Sequence, residues 1–248
     1  MDEIGLHLRL SNAIQKIYRE APPHDAPSPS GVRGCIRSQW SVGVKMPATD
    51  FPPDNNIIKM EAGKGIEPYL RRVYEAAGFE VTAGTGERFQ IPGTPMTGEY
   101  DWLAKDGETY LVDSKFLGYY GYIKILCLGV EVGDPGYYMQ MQSYLMGLPD
   151  CEGAVLHCTV QDWSAANKLW RQGQHQWGKQ TEDLPEFFVR YIARDEGNQY
   201  EAKIRSEEVK YLVDTVNDIS QVRREFNPLK DKFPCGYCRI QTACIEAG

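Results

Sequence analysis

The stretch Gly98–Lys115, GEYDWLAKDGETYLVDSK, constrains the fold more than any other part of the chain. An Asp-Gly step between two apolar-rich runs signals a tight hairpin, because glycine accepts the positive φ that such a turn needs. The pattern predicts a first strand over 98–104, a turn at Lys105-Asp106-Gly107 and a second strand over 108–115. Side chains alternate along a strand, so Asp113 and Lys115 leave the same face. Asp101, on the partner strand, lies across from them. Two carboxylates and an ammonium then meet at one end of the hairpin, flanked by Trp102, Leu111 and Val112.

Those residue types in that arrangement suit metal-assisted phosphodiester hydrolysis. Hard carboxylate oxygens favour Mg²⁺ or Mn²⁺, and such an ion acts as a Lewis acid and makes a bound water more acidic. A neighbouring lysine orients that water or offsets charge on the phosphate. The alternative is an exposed hairpin whose ion pairs contribute little. Asp-x-Lys alone is short and common, so its surroundings decide between the two.

Upstream, Ile4, Leu8, Ile14, Ile17 and Tyr18 recur at helical spacing and predict a helix over 4–20. The Pro- and Ser-rich APPHDAPSPSG reads as a loop delivering the chain to Gly34-Cys35-Ile36-Arg37 and Trp40. A second irregular stretch, MPATDFPPDNN, follows. Ile66, Leu70, Val73, Tyr74 and Ala77 share a face of a helix expected over 65–77, with Glu67 in its first turn and Gly78 closing it. A strand over 79–91 leads to a Pro-Gly loop at 92–95. Beyond the hairpin, helices are expected over 118–129 and 135–147, a strand over 154–160, and a polar Trp-bearing helix or lid over 162–176. A strand over 186–193 and a long amphipathic helix over 203–226 complete the pattern, which contains no internal repeat. The order implies an α/β (α+β) chain with a mixed central sheet packed between helices.

With 42% hydrophobic and 25% charged residues the composition is that of a soluble globular protein. The polar start MDEIG and the lack of any long apolar run lead us to expect a cytoplasmic protein away from membranes. A formal charge of −7 argues against a protein that coats nucleic acid, though bound cations and a local basic groove can still manage phosphates. Seven cysteines, an odd number, point to thiols or metal ligands rather than a disulfide framework. Cys235, Cys238 and Cys244 form C-x2-C-x5-C, and Cys35 lies far upstream. Four such thiolates could hold a [4Fe–4S] cluster or a tetrahedral Zn²⁺, and a single Cys-x-x-Cys pair with two lone cysteines suits the cluster better. Cys127, Cys151 and Cys158 read as packed core residues.

Taken together, these motifs resemble the PD-(D/E)XK nucleases, in particular the RecB-like branch with an iron–sulfur cluster, which includes the AddB nuclease domain and small exonucleases associated with CRISPR adaptation. The resemblance runs from about Ser28 to the end of the sequence. An S-x-x-x-x-C-x-R segment is matched by Ser30, Cys35 and Arg37, and the first-helix acid by Glu67. The G-x-x-D strand is matched by Gly98 and Asp101, and the (D/E)-x-K signature by Asp113-Ser114-Lys115. Gln140 and Tyr144 match a Q-x-x-x-Y helix, and the terminal cysteines complete the set. Asp113 departs from the glutamate most relatives carry, and no residue clearly matches a histidine ligand that some use; His24 is near, but in a loop.

The resemblance implies a restriction-endonuclease-like fold. Asp101 and Asp113 would bind Mg²⁺ or Mn²⁺, with Glu67 reaching the same ion directly or through water, and Lys115 would orient the attacking water. The alternative for Glu67 is an acid stabilised by the helix macrodipole. Gln140 and Tyr144, four apart on one helix face, would contact phosphate or nucleophile, or simply pack. Cys35, Cys235, Cys238 and Cys244 would hold a structural [4Fe–4S] cluster joining the N- and C-terminal segments. Residues 1–62 then form an N-terminal helix and linker segment, 63–202 the nuclease core and 203–248 a long helix with the cluster segment. The implied activity is metal-dependent DNA exonucleolysis in recombination, end processing or phage DNA metabolism, within a bacterial cell or phage-infected host. The implied partners are single-stranded DNA or DNA ends, and a second copy of the chain or a helicase or recombination protein. Tyr119, Tyr120, Tyr122 and Trp102 are candidates for base stacking or, for most of them, core packing. A catalytically weak DNA-end binding or assembly module on the same fold is the competing reading, with a zinc-bound regulatory protein as a third.

Overall fold

In a computed structural model, which describes residues 3–20, 28–84, 88–174, 176, 178, 180–226, 230 and 238–248, the Asp-Gly hairpin lies inside a five-stranded sheet. The elements in chain order begin with α1 (Glu3–Glu20), α2 (Ile36–Gly43), α3 (Asp54–Ala76), β1 (Glu80–Ala83), β2 (Phe89–Gln90) and β3 (Thr97–Gly98). They continue with β4 (Trp102–Asp106), β5 (Glu108–Leu117), α4 (Tyr119–Gly133), α5 (Pro135–Gly147) and β6 (Cys151–Val160). The last are α6 (Trp163–Gln172), β7 (Phe187–Ala193), α7 (Glu196–Thr215), a short 3₁₀ turn at Ile219–Gln221 and α8 (Gln241–Glu246).

The sheet order is β1-β4-β5-β6-β7, antiparallel throughout except for the parallel pair β5–β6. A parallel pair needs a long crossover, and α4 and α5 supply it. These helices cover one face, where Leu111, Tyr122, Ile123, Met141, Leu145 and Leu156 form the main core. Helix α3 covers part of the other face, its Leu70, Ile66 and Tyr74 packing over Trp102, Ala104 and Val112. A smaller third core joins α2 to α7 and the segment after it, through Ile36, Trp40, Val209 and Val222. No helix among the described residues is long and apolar enough to cross a membrane.

The hairpin turns on Gly107, whose φ of +75° is the conformation that favours glycine, with Asp106 opposite Glu108. Its first strand begins later than expected, at Trp102, because Thr97–Gly98 pairs with Phe89–Gln90 in a separate ribbon. The strand expected over 79–91 is thereby split, and residues 85–87 between its parts lie outside the described set. The helix expected over 65–77 begins at Asp54 instead. The prolines that read as irregular sit just before it: Pro53 occupies the N-cap in an extended conformation, leaving its fixed φ and missing N–H harmless. Asp54 is anchored by Gln15 Nε2 at 2.6 Å and by Ser11, tying α1 to α3. The helix expected over 203–226 starts earlier and stops sooner, at Glu196–Thr215. Asp195 caps it by accepting from Asn198 N at 3.0 Å, and Val216 is extended, its carbonyl taking the Trp40 Nε1–H. Cys151 and Cys158 are buried as expected, whereas Cys127 is exposed on α4, on the side of that helix turned away from the core.

Candidate active site

Strand β5 sets the geometry. Asp113 projects onto the α4–α5 face and is 2% exposed. Lys115, two residues on, pairs its Nζ with Asp113 Oδ2 and stands 5.1 Å above the Tyr137 ring. Burial pushes the Asp113 carboxyl up to about 6, Asp101 adding to the rise and Lys115 opposing it. Burial alone would weaken the ammonium, but Asp113, Tyr137 and Asp101 outweigh it and hold Lys115 well above its ordinary range. The lysine is therefore fully charged.

Asp101 immediately precedes β4. The pairing Trp102↔Val112 places it across from Asp113, and its Oδ2 accepts from Ser114 N at 2.7 Å and Ser114 Oγ at 2.8 Å. Ser114, the unremarked middle residue of Asp-Ser-Lys, thus fixes the orientation of Asp101. Glu67 comes from α3. Because that helix begins at Asp54, Glu67 lies well inside it and the macrodipole explanation for an acid there does not apply. Burial, then Asp101 and Asp113, push its carboxyl up to about 7 against the pull of Lys115 and Arg71. Three carboxylates from three elements therefore share one electrostatic neighbourhood with a single buried ammonium.

That surplus of negative charge fits a divalent cation. Among the described residues no three His, Cys, Asp or Glu side chains group closely enough to hold a metal by themselves. Mg²⁺ does not require three: it is commonly held by one or two carboxylates, with waters and phosphate oxygens completing the octahedron. Asp101 and Asp113 are the residues that would hold it, with Glu67 close by.

Gln140 and Tyr144 are buried on α5. Gln140 Nε2 reaches Tyr144 Oη at 3.4 Å, and Tyr144 Oη donates to Glu99 O at 2.6 Å. Tyr144 therefore clamps the segment that carries Asp101. Gly98 belongs to the same clamp, since a Cβ there would come within 2.5 Å of Tyr144 Cε1 and 2.9 Å of Pro29 Cγ. Tyr137, which the sequence reading did not single out, lies under the lysine; Asp134 caps its turn by accepting from Tyr137 N. Of the aromatic candidates, Trp102 and Tyr122 are fully buried and Tyr120 is exposed.

The cysteines occupy a second location. Cys35 is the N-cap residue of α2, and Cys244 is buried on α8. Burial raises the Cys238 thiol, and the neighbouring Cys35 and Cys244 add to the rise while Ile240 N and Ser38 oppose it. Cys235 lies outside the described residues. Three of the four expected ligands thus share one neighbourhood, and Cys244 Sγ accepts from Arg37 at 3.4 Å. Among the described residues no three of these side chains gather closely enough to hold a metal ion.

No family model matches the chain, and no curated protein matches it in sequence. Among solved structures it is similar to an alkaline exonuclease from Laribacter hongkongensis, at 15% identity and a TM-score of 0.47, over 80% of this chain and 94% of that one. The same exonuclease in complex with dAMP gives 16% and 0.48, over 72% and 80%. A phage-related exonuclease from Haemophilus somnus 129PT gives 16% and 0.49, over 73% and 80%. Likenesses at this level establish neither fold nor activity, and the functional reading rests on the chain's own residues.

Proposed function

We propose that the chain is a metal-dependent deoxyribonuclease of PD-(D/E)XK type that acts on DNA ends. The observation that carries this reading is the buried Asp113–Lys115 pair set among Asp101 and Glu67. A purely structural ion pair would not gather two further carboxylates around itself, because each one raises the cost of ionising the others. Perturbed carboxylates grouped this way mark functional sites more often than structural ones.

Mg²⁺ or Mn²⁺, when bound, supplies Lewis acidity and makes a water more acidic. Asp101 and Asp113 offer the oxygens that hold the ion, and Ser114 keeps Asp101 turned toward it. Lys115, fully charged and steadied by Asp113 and the Tyr137 ring, orients the attacking water and offsets charge accumulating on the phosphate. Tyr144 keeps the Asp101 segment in place through Glu99 O. The four cysteines, Cys35, Cys235, Cys238 and Cys244, complete the proposal as ligands of a structural [4Fe–4S] cluster.

The test is degradation of linear and circular DNA, single- and double-stranded, with Mn²⁺ or Mg²⁺, by wild type and Lys115→Ala. Loss of linear DNA with circles spared, and at least a 100-fold slower variant, is the expected result. Cutting of circles would make it an endonuclease. DNA binding without any cleavage would replace the hydrolase by an end-binding module.

A further inference from the structure

Strand β7 ends the sheet, and its outer side is open. Among the described residues it pairs only with β6, and no other backbone group bonds to it. In an antiparallel ladder bonded and non-bonded pairs alternate. Val160 N donates to Glu186 O, so Cys158↔Phe188 and Leu156↔Arg190 are the bonded pairs that follow. The backbone groups of Phe187, Val189 and Tyr191 therefore face outward. Side-chain contacts agree: Val189 O receives only the Arg190 guanidinium, at 3.4 Å, and Ala193 O accepts from Gln142 Nε2 at 2.7 Å. The same three residues turn their side chains onto the sheet face that α3 only partly covers, where they are 58%, 48% and 55% exposed. They are fixed there, Phe187 stacked on His157 at 5.3 Å and Tyr191 edge-on to Tyr110 at 6.1 Å. Proteins usually blunt such an edge by brevity, proline, a bulge or an outward charge. The opposite edge, β1, is four residues long. Strand β7 runs seven residues without proline or register shift, and its one charge, Arg190, is held by Leu126 O at 2.7 Å and by the Phe188 ring.

We infer that β7 is an interface between two copies of this chain, which pair antiparallel about Val189 into one continuous sheet. The sequence of the strand is what selects a second copy. Centred on Val189, the outward backbone groups of Phe187, Val189 and Tyr191 meet those of Tyr191, Val189 and Phe187 in the other copy. Each exposed side chain then faces an apolar one, and aromatic and β-branched cross-strand pairs are favoured. On the opposite face Arg190 lies across from Phe188 of the second copy, and Glu186 lies diagonally between its Arg190 and Arg194. No like charges meet. Moving the centre by one residue, to Arg190, would set two guanidiniums directly opposite, which disfavours that register. The inference is independent of the chemistry proposed for the carboxylates. It places the two β5 strands, with their Asp113–Lys115 pairs, on the same side of the joined sheet and about 24 Å apart.

Sedimentation equilibrium of the full-length wild type is compared with Val189→Lys, which sets two ammoniums at the two-fold axis. The side chain is exposed, so the variant is expected to fold, and its melting temperature checks this. The expected result is a wild-type dimer at about 100 μM protein and a monomeric variant. Val189→Cys and Tyr191→Cys are then incubated with oxidised glutathione beside wild type, which reports what the native thiols do. Across a bonded antiparallel pair the Cα atoms are about 5.5 Å apart, within disulfide reach. Val189→Cys should therefore give a covalent dimer on a non-reducing gel. Tyr191→Cys should not, because its counterpart lies roughly 13 Å away along the strands. A wild type still monomeric at about 100 μM would overturn the inference, the edge then serving a strand of another protein or none. A dimer that survives Val189→Lys would place the contact elsewhere and overturn it too. So would cross-linking of Val189→Cys no greater than that of Tyr191→Cys and wild type, and this arm decides alone if Val189→Lys does not fold.

Discussion

Replacing Lys115 by Met in the metal-free protein tests whether the site is held together or held under strain. Asp113 is almost wholly buried and Lys115 largely so, with side-chain exposures of 3% and 19%. Breaking a buried pair by removing one partner costs about 3–5 kcal/mol, because the other charge is left without compensation. The partial exposure of Lys115 places the expectation for Lys115→Met at the lower end, about 3 kcal/mol, at pH 8. At pH 5 the loss shrinks, because Asp113 then takes up a proton rather than remain a buried, unpaired anion. Asp113→Asn leaves the ammonium within the field of Asp101 and removes a carboxylate whose ionisation burial opposes, so it costs less than Lys115→Met at pH 8. The double variant Asp113→Asn/Lys115→Met buries no charge at this position, and replacing both partners is often neutral or stabilising. Urea unfolding of the four proteins in chelator at both pH values gives the coupling energy, expected to be about 2 kcal/mol or more at pH 8. Strict additivity would refute the reasoning: the two side chains would then be solvated separately and the description of β5 would be wrong.

Two further predictions follow from the same elements. The Asp113 pKa is raised from 3.8 to about 6, so the folded state holds a proton the unfolded chain has released; the stabilisation is present below about pH 4 and lost as pH rises through 6. The difference in unfolding free energy between wild type and Asp113→Asn, in chelator, should therefore fall by about 2 kcal/mol between pH 4 and pH 7.5, and a difference flat in pH would contradict it. Gly98→Ala drives a Cβ against the Tyr144 ring, which its bond to Glu99 O prevents from yielding. An overpacking loss of about 1–3 kcal/mol by calorimetry is expected, with slower DNA degradation as Asp101 shifts; an unchanged melting temperature would show that the clamp gives way.

The Asp-Gly hairpin was legible because its signals are local: Asp-Gly dictates the turn and alternation puts Asp113 and Lys115 on one face. The approach of Glu67 was legible only through the resemblance, and its place in α3 was misread because Pro53, a good residue just outside a helix, looks in sequence like a loop residue. Ser114 and Tyr137 were missed for a different reason. Their roles depend on cross-strand register and on which helix the β5–β6 crossover lays over the sheet, and neither is written in residue spacing. Cys127 was misjudged because an apolar run around a residue does not reveal which side of its helix is covered. The end of α7 depends on Trp40, far away in sequence, capturing the Val216 carbonyl.

That last contact is one of several joining distant parts of the chain. Arg205 binds the carbonyls of Val32 and Gly34, 173 and 171 residues away, and Asp50 and Thr242 meet across 192. Arg37 and Cys244 are 207 apart. On a ribosome the strands β4 to β6 emerge together and can pair at once, while α2 must wait for nearly the whole chain before it finds its partners. Closing so long a loop is entropically costly, but the cost rises only logarithmically with length, so the delay is one of synthesis more than of search. Until then Ile36 and Trp40 lack the apolar cover that Val209 and Val222 provide. A nascent or truncated chain would thus display the apolar side of α2 to chaperones and proteases. Burial of that side becomes a check that translation has run through α7 and on to Val222.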